Sequence, residues 1–180
     1  MSPIKKLIII FAVVVFILFI AIIVAAWYLG AFATVSIVVE DRGPYYIVTS
    51  SQLSPYQEIS RENEQIDMML GERGIKYKNF VGILYNNPAE ITLSQLRRKG
   101  GVIVKDSVAV DSLLIFERID KRLVAVAALK AHPAIAPFKI YPALQEWMQL
   151  HSYLPQKEMT ILEHYKADGF VEVEIPIQER

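Results

Sequence analysis

No cysteine occurs among the 180 residues, so neither a disulfide nor a thiolate metal site is available, and the redox compartment stays unreadable. Histidine is nearly as scarce. His132, His151 and His164 are the whole supply, and neither an H-x-x-x-H pair nor a carboxylate cluster gives metal-ligand spacing. No metal and no cofactor are expected. An excess of one charge is missing too, with 19 Lys and Arg against 19 Asp and Glu. Setting aside Lys5 and Lys6 leaves 17 basic residues and no basic block, so nothing electrostatic argues for a nucleic-acid partner. Gly100-Gly101 opens no helix and reads as turn chemistry, not a phosphate loop. "LRRK" just before it reads as a solvated loop or strand-edge charge run.

What the chain has in excess is apolar residues, 53% against 21% charged. The excess is concentrated at the N-terminus, where no charge occurs from Leu7 to Val39. "LIIIFAVVVFILFIAIIVAAWYLG" is apolar on every side of a helix, and crossing a bilayer core takes about 20 such residues. A cleaved signal peptide is the competing reading, with "VAA" as its cleavage site, but signal cores run only about 7–15 residues. Trp27 and Tyr28 also stand where an aromatic belt meets the interface. The expected layout is a basic flank over residues 1–6, a transmembrane helix over 7–29 and a linker over 30–34. Lys5 and Lys6 precede the span, and Glu40 and Asp41 are the first charges after it. The positive-inside rule therefore predicts a cytoplasmic N-terminus and an extracytoplasmic domain, on the periplasmic side of a bacterial inner membrane.

Beyond the span, "VSIVVE" and "GPYYIVTSS" read as extended segments. Ser54-Pro55 predicts a helix start, with Ser54 as N-cap, and Tyr56, Ile59, Ile66, Met69 and Leu70 follow at helical spacing up to Gly71 and Gly74. "FVGILYNN" and "GGVIVKD" read as strands. The same order then returns: "RLVAVAALK" as a strand, then "FKIYPALQEWMQLHSY" as a helix with Leu144, Trp147, Met148 and His151 on one stripe. Pro142 marks its first full turn or a kink. "TILEHYK" and "GFVEVEIPI" follow as strands joined by the turn "ADG". Val171, Val173, Ile175 and Ile177 share one face of the last strand, and Glu172 and Glu174 the outward one. Two strand–helix–strand–strand units predict one α+β domain over residues 35–178, pseudo-two-fold, with an antiparallel sheet backed by two helices.

"FVGILYNNPAEI", "LRRKGGVIV", "YPALQEWMQLHSYLP" and "ILEHYKADGFVEVEIPI", in that order, resemble the GyrI-like domain, the effector-binding fold of bacterial multidrug-responsive regulators. The shared features are an aromatic-plus-Asn-Pro turn in the first half and a Glu-x-Tyr near the end, here Glu163 and Tyr165. A span followed directly by such a domain is also similar in layout to the animal ER-phagy receptor type built on this fold. The chain departs from the regulators in having no helix-turn-helix, and from the receptor type in stopping at Arg180 without a long disordered tail.

The resemblance implies a cleft between two halves that takes small aromatic or cationic ligands, with Glu163 at the acidic position. Alternation in "TILEHYK" puts Ile161, Glu163 and Tyr165 on one face, with His164 on the other. A desolvated carboxylate there would favour a cationic guest. Tyr85 and Tyr165, at matching places in the two units, would offer aromatic faces. The candidate ligand-binding set is Glu163, Tyr165, Tyr85, Trp147 and Tyr46. The bland reading makes Glu163 a solvated strand charge and the tyrosines ordinary sheet packing. Some GyrI-like relatives hydrolyse strained toxins with cleft carboxylates, but Glu163 shows no second acid in sequence: Glu172 and Glu174 alternate outward, and Glu117 reads as loop. No catalytic residue is assigned. A related haem-binding fold would need an axial histidine, for which one lone histidine is a weak cue. The expected function is membrane-tethered binding of a small apolar or cationic ligand, and the alternative is an interaction module with a degenerate cleft.

Overall fold

The computed structural model describes residues 2–51, 54–55, 59–86, 97–108, 110, 114–156 and 160–179. Tyr56 and the Asn87-Pro88 step lie outside them.

The chain opens with α1, Pro3–Tyr28, which buries none of its side chains. Its mean hydropathy reaches 3.8, long and apolar enough to cross a membrane. Pro3 starts the helix, where a missing N–H costs nothing. Gly30 ends it at φ +81°, and a Cβ there would fall 2.6 Å from the Ala131 Cβ, so only glycine fits.

The strands are β1 (Ser36–Arg42), β2 (Tyr45–Ser50), β3 (Ser54–Pro55), β4 (Tyr77–Leu84), β5 (Arg97–Val104), β6 (Leu114–Ile119), β7 (Arg122–Lys130), β8 (Tyr153–Pro155), β9 (Ile161–Tyr165) and β10 (Phe170–Glu179). Two further helices are α2, Ile59–Glu72, and α3, Ala136–Leu150. The main sheet runs β1-β7-β10-β9-β4-β5-β2-β6, with β3 added beside β5 and β8 beside β10. The described pairings are antiparallel.

Both helices lie on one face. Val48, Val102 and Val104 join Ile66 and Leu70 of α2 in one core, and Phe80 packs against it. Leu84 joins Val171, Val173, Ile140 and Leu144 in the core under α3. Phe80 and Leu84 are four residues apart on β4 and so share a face. The other face carries a smaller core of Ile47, Val81, Ile83, Ile103 and Leu162. The sheet curls around that helix-free face. Tyr45 on β2 donates to Glu174 on β10 at 2.7 Å, although β5, β4 and β9 separate the two strands.

Five expectations need correction. Ser54-Pro55 is a short strand and the helix begins at Ile59, because Ser54 and Pro55 pair with Arg98 and Arg97. Glu117 lies on β6, not in a loop. Glu172 and Glu174 are buried because the curled sheet covers their face. Pro142 falls in the second turn of α3, which begins at Ala136, and not in its first, its missing N–H falling on an exposed position. In α2 the helix runs through Gly71, and Gly74 at φ +65° ends it as Ile75 N–H reaches back to Leu70 O at 3.0 Å.

Candidate functional site

α2 packs on β2, β3 and β5, and α3 on β7 and β8. The middle strands β4 and β9 therefore lie beneath the interval between the helices. Their register sets Glu163 against Gly82, and Gly82 against Gly100 of β5. Two adjacent glycines with no side chain form a floor on the helix side whose space is taken by charged side chains, with Glu163 at one end.

Glu163 is wholly buried. Its Oε1 accepts from Tyr141 Oη of α3 at 2.5 Å, and its Oε2 from Tyr165 Oη at 2.6 Å. Burying a carboxylate is costly unless donors replace water, and two phenols do so here. At the other end stands Glu62 of α2, also buried. Its Oε1 accepts from Gly100 N at 2.8 Å and Ser50 Oγ at 2.7 Å, while Oε2 lies 3.2 Å from Arg98 Nη2. Arg98 is wholly buried between the two acids: a Cβ on Gly82 would stand 3.1 Å from Arg98 Nη1 and 3.3 Å from Glu163 Oε2. The floor thus holds two carboxylates with one guanidinium between them, and two phenol hydroxyls bond the acid at the β9 end.

Sequence reasoning missed Tyr141, Arg98 and Glu62. Signals for two of them were present. Glu62, Ile66 and Leu70 recur every four residues, which puts a carboxylate on the core stripe of α2. Tyr141, Leu144 and Met148, three and four residues apart, put a phenol on the stripe of α3. Arg98 falls on the alternation of Val102 and Val104, so the "LRRK" run is not wholly solvated.

The five expected ligand residues do not all meet. Glu163 and Tyr165 are in direct contact. Tyr85 lies just past the end of β4, with its Oη 3.3 Å from Glu117 Oε2 and Lys99 Nζ 5.5 Å from its ring centroid. Lys99 alternates with Arg98 on β5, so Tyr85 belongs to the helix-free face and not beside Tyr165. The register across β4 and β9 sets Phe80 opposite Tyr165 and Leu84 opposite Ile161, and Tyr85, one residue past Leu84, falls to the other face. Tyr46 stacks on Phe116 at 6.0 Å beside the α2 core. Trp147 is half-buried and stacks on His151 at 4.3 Å and Tyr153 at 5.6 Å.

A second charged group occupies the helix-free face. His164 Nε2 lies 2.9 Å from Glu174 Oε1, which also takes the Tyr45 hydroxyl. Burial opposes ionisation of Glu174, but the hydrogen bond and charge of His164, with Tyr45 and Arg42, outweigh it and hold the carboxyl below its ordinary range. Burial and the bond to Glu174 push the Tyr45 phenol up. Burial lowers Arg122, with the nearby Glu174 charge opposing. A cavity of about 640 Å³ opens beside this group, lined by Arg42, Tyr45, Lys78, His164, Lys166 and Glu172 among others. Among the described residues no group of three or more His, Asp and Glu could hold a metal ion.

No protein-family model matches the chain, and no curated protein matches it. Solved structures do. A cryo-EM structure of EcmrR bound to DNA superposes with a TM-score of 0.67 at 15% identity, covering 81% of this chain. The chain spans only 58% of that protein's length. The crystal structure of the EcmrR C-terminal domain gives 0.66 at 14% identity, covering 81% of this chain and 99% of that domain. An integron cassette protein from the mobile metagenome of Vibrio cholerae gives 0.54 at 10% identity, covering 79% and 95%. A hydrolase from Listeria innocua gives 0.50 at 10% identity, covering 81% and 92%. At such identities the likeness establishes the fold alone, and that fold is consistent with the GyrI-like effector-binding domain.

Proposed function

We propose that the chain is a single-pass membrane protein whose GyrI-like domain binds a small ligand with an apolar body and a cationic or hydrogen-bond-donating group. The guest lies between α2 and α3, over the Gly82 floor. The observation that carries this reading is the wholly buried Glu163, held by Tyr141 and Tyr165 beside two cross-strand glycines. A carboxylate placed under an interval between helices gives a cationic guest a charge to meet, and the phenol rings give it aromatic faces. The strand order supports a pseudo-two-fold: β7-β10-β9 on one side of the centre corresponds to β2-β5-β4 on the other. Lys5 and Lys6 before the span support, by the positive-inside rule, a cytoplasmic N-terminus with the domain across the membrane. The reading is non-catalytic.

The experiment is a thermal-shift series on the full chain in detergent, with tetraphenylphosphonium as the lipophilic cation probe. Native-state binding raises the melting temperature, by an amount that grows with the logarithm of ligand concentration over Kd. A rise in the wild type that is absent in Glu163→Gln supports the reading. Equal shifts in both proteins contradict it.

One observation favours a second reading. Both Glu163 oxygens already accept phenol hydroxyls, so the acid is satisfied without a guest. A domain that shifts with no cation at all would act as a membrane-anchored interaction module.

A further inference from the structure

The end of α1 does not hang free of the domain. His132 N–H donates to Leu29 O at 3.0 Å, and Gly30 packs directly on Ala131. Lys139 Nζ, from α3, donates to Ala31 O at 2.7 Å and also to Ala33 O. These contacts satisfy carbonyls past the helix end and set a cation against its negative pole. The domain is therefore held in one orientation against the last turn of α1.

That orientation fixes a depth. The helix has 26 residues and is about 39 Å long, against a hydrocarbon core of about 30 Å. Its last turn, with Trp27 and Tyr28 exposed, thus emerges at the level of the lipid headgroups. At this level a cavity of about 360 Å³ opens between α1 and the domain, lined by Tyr28, Leu29, Lys130, His132, Pro133 and Gly169 among others. Among the described residues no carboxylate lines it. Lys130 and His132 are exposed. Ala134 N–H donates to His132 Nδ1 at 3.2 Å, which leaves Nε2 to carry the proton of the neutral ring. The cavity therefore offers an ammonium, an imidazole N–H and a phenol O–H beside the apolar end of a membrane helix.

We propose that this cavity holds the phosphate of an anionic membrane glycerophospholipid. The acyl chains would lie along α1, below Leu29, and the headgroup phosphate would accept from Lys130, His132 and Tyr28. The depth argues for a lipid over a soluble anion, because the cavity mouth is bounded by the helix that the bilayer surrounds. The inference rests on the membrane reading given above.

The test uses the full chain in detergent micelles, with native mass spectrometry of lipid adducts after addition of phosphatidylglycerol or phosphatidylcholine. Phosphatidylglycerol should be retained preferentially. Lys130→Ala with His132→Ala should weaken its retention about tenfold, the fold-change expected for losing charged donors. Lys130→Glu alone should do so as well, with circular dichroism and melting unchanged. Retention unaffected by these variants, with the chain in the membrane fraction, overturns the lipid site alone. Inorganic phosphate displacing the lipid at equal concentration overturns the lipid as the occupant. Recovery of the chain in the soluble fraction overturns the membrane reading and this site together.

Discussion

Gly82 lies across the β4–β9 pairing from Glu163, and a methyl group added to it would stand 3.3 Å from Glu163 Oε2 and 3.1 Å from Arg98 Nη1. Arg98 and Glu163 thus take up the space that this residue leaves by having no side chain. Gly82→Ala should fold, with a loss of about 1–3 kcal/mol from overpacking, and should weaken any ligand seated on the floor. Gly100→Ala should be worse. Its methyl would fall 2.5 Å from Glu62 Cδ, and that carboxylate is anchored by Gly100 N–H and Ser50. Urea midpoints for the two variants check the order, and a milder Gly100→Ala counts against it.

The phenol donors to Glu163 make a separate prediction. Tyr141→Phe removes a 2.5 Å donor and leaves a buried carboxylate oxygen one partner short. The expected loss is about 1–3 kcal/mol for the empty domain. Combining Tyr141→Phe with Glu163→Gln should cost less than the sum of the singles, because the shared interaction is lost only once. A strictly additive cycle would show that the two side chains do not interact.

The pair Arg98–Glu62 is buried at both ends, which makes breaking it costly and replacing it mild. Arg98→Met should cost about 3–5 kcal/mol by leaving Glu62 uncompensated. Adding Glu62→Met should recover part of that loss. Equal unfolding free energies for the single and double variants would remove the pair from the account.

Much of this arrangement was legible in the sequence. Alternation in "TILEHYK" put Glu163 and Tyr165 on one face with His164 opposite, and register and burial agree. The limits of β7 coincide with "RLVAVAALK" because β-branched and small apolar residues run unbroken between charged ends. Other features depended on what lies across space. Glu172 and Glu174 alternate as outward residues do, and nothing local shows that the sheet curls over them. Arg98 looks like one of three solvated cations until α2 brings Glu62 over Gly100. Tyr85 misled because it falls one residue past the end of β4, and one residue turns a side chain to the other face.

The helix-free face predicts a pH dependence. The folded-state pKa of Glu174 lies below its ordinary value of about 4.3. A depressed carboxylate contributes stability that is present above the unfolded pKa and is lost as pH falls through the folded one. Unfolding free energy should therefore drop as pH falls below about 4.3, and Glu174→Gln should flatten that limb. An unchanged acid limb in Glu174→Gln would mean that other carboxylates carry it.

The central claim is that the buried charge of Glu163 selects the guest. Its most direct test is calorimetric titration with two aromatic ligands of one shape, a quaternary ammonium and its neutral tert-alkyl isostere, against wild type and Glu163→Gln. The account predicts that the wild type prefers the cation by about 1–3 kcal/mol, the scale of a charged interaction, and that Glu163→Gln binds the two alike. The same preference for the cation in both proteins, or none in the wild type, would contradict it.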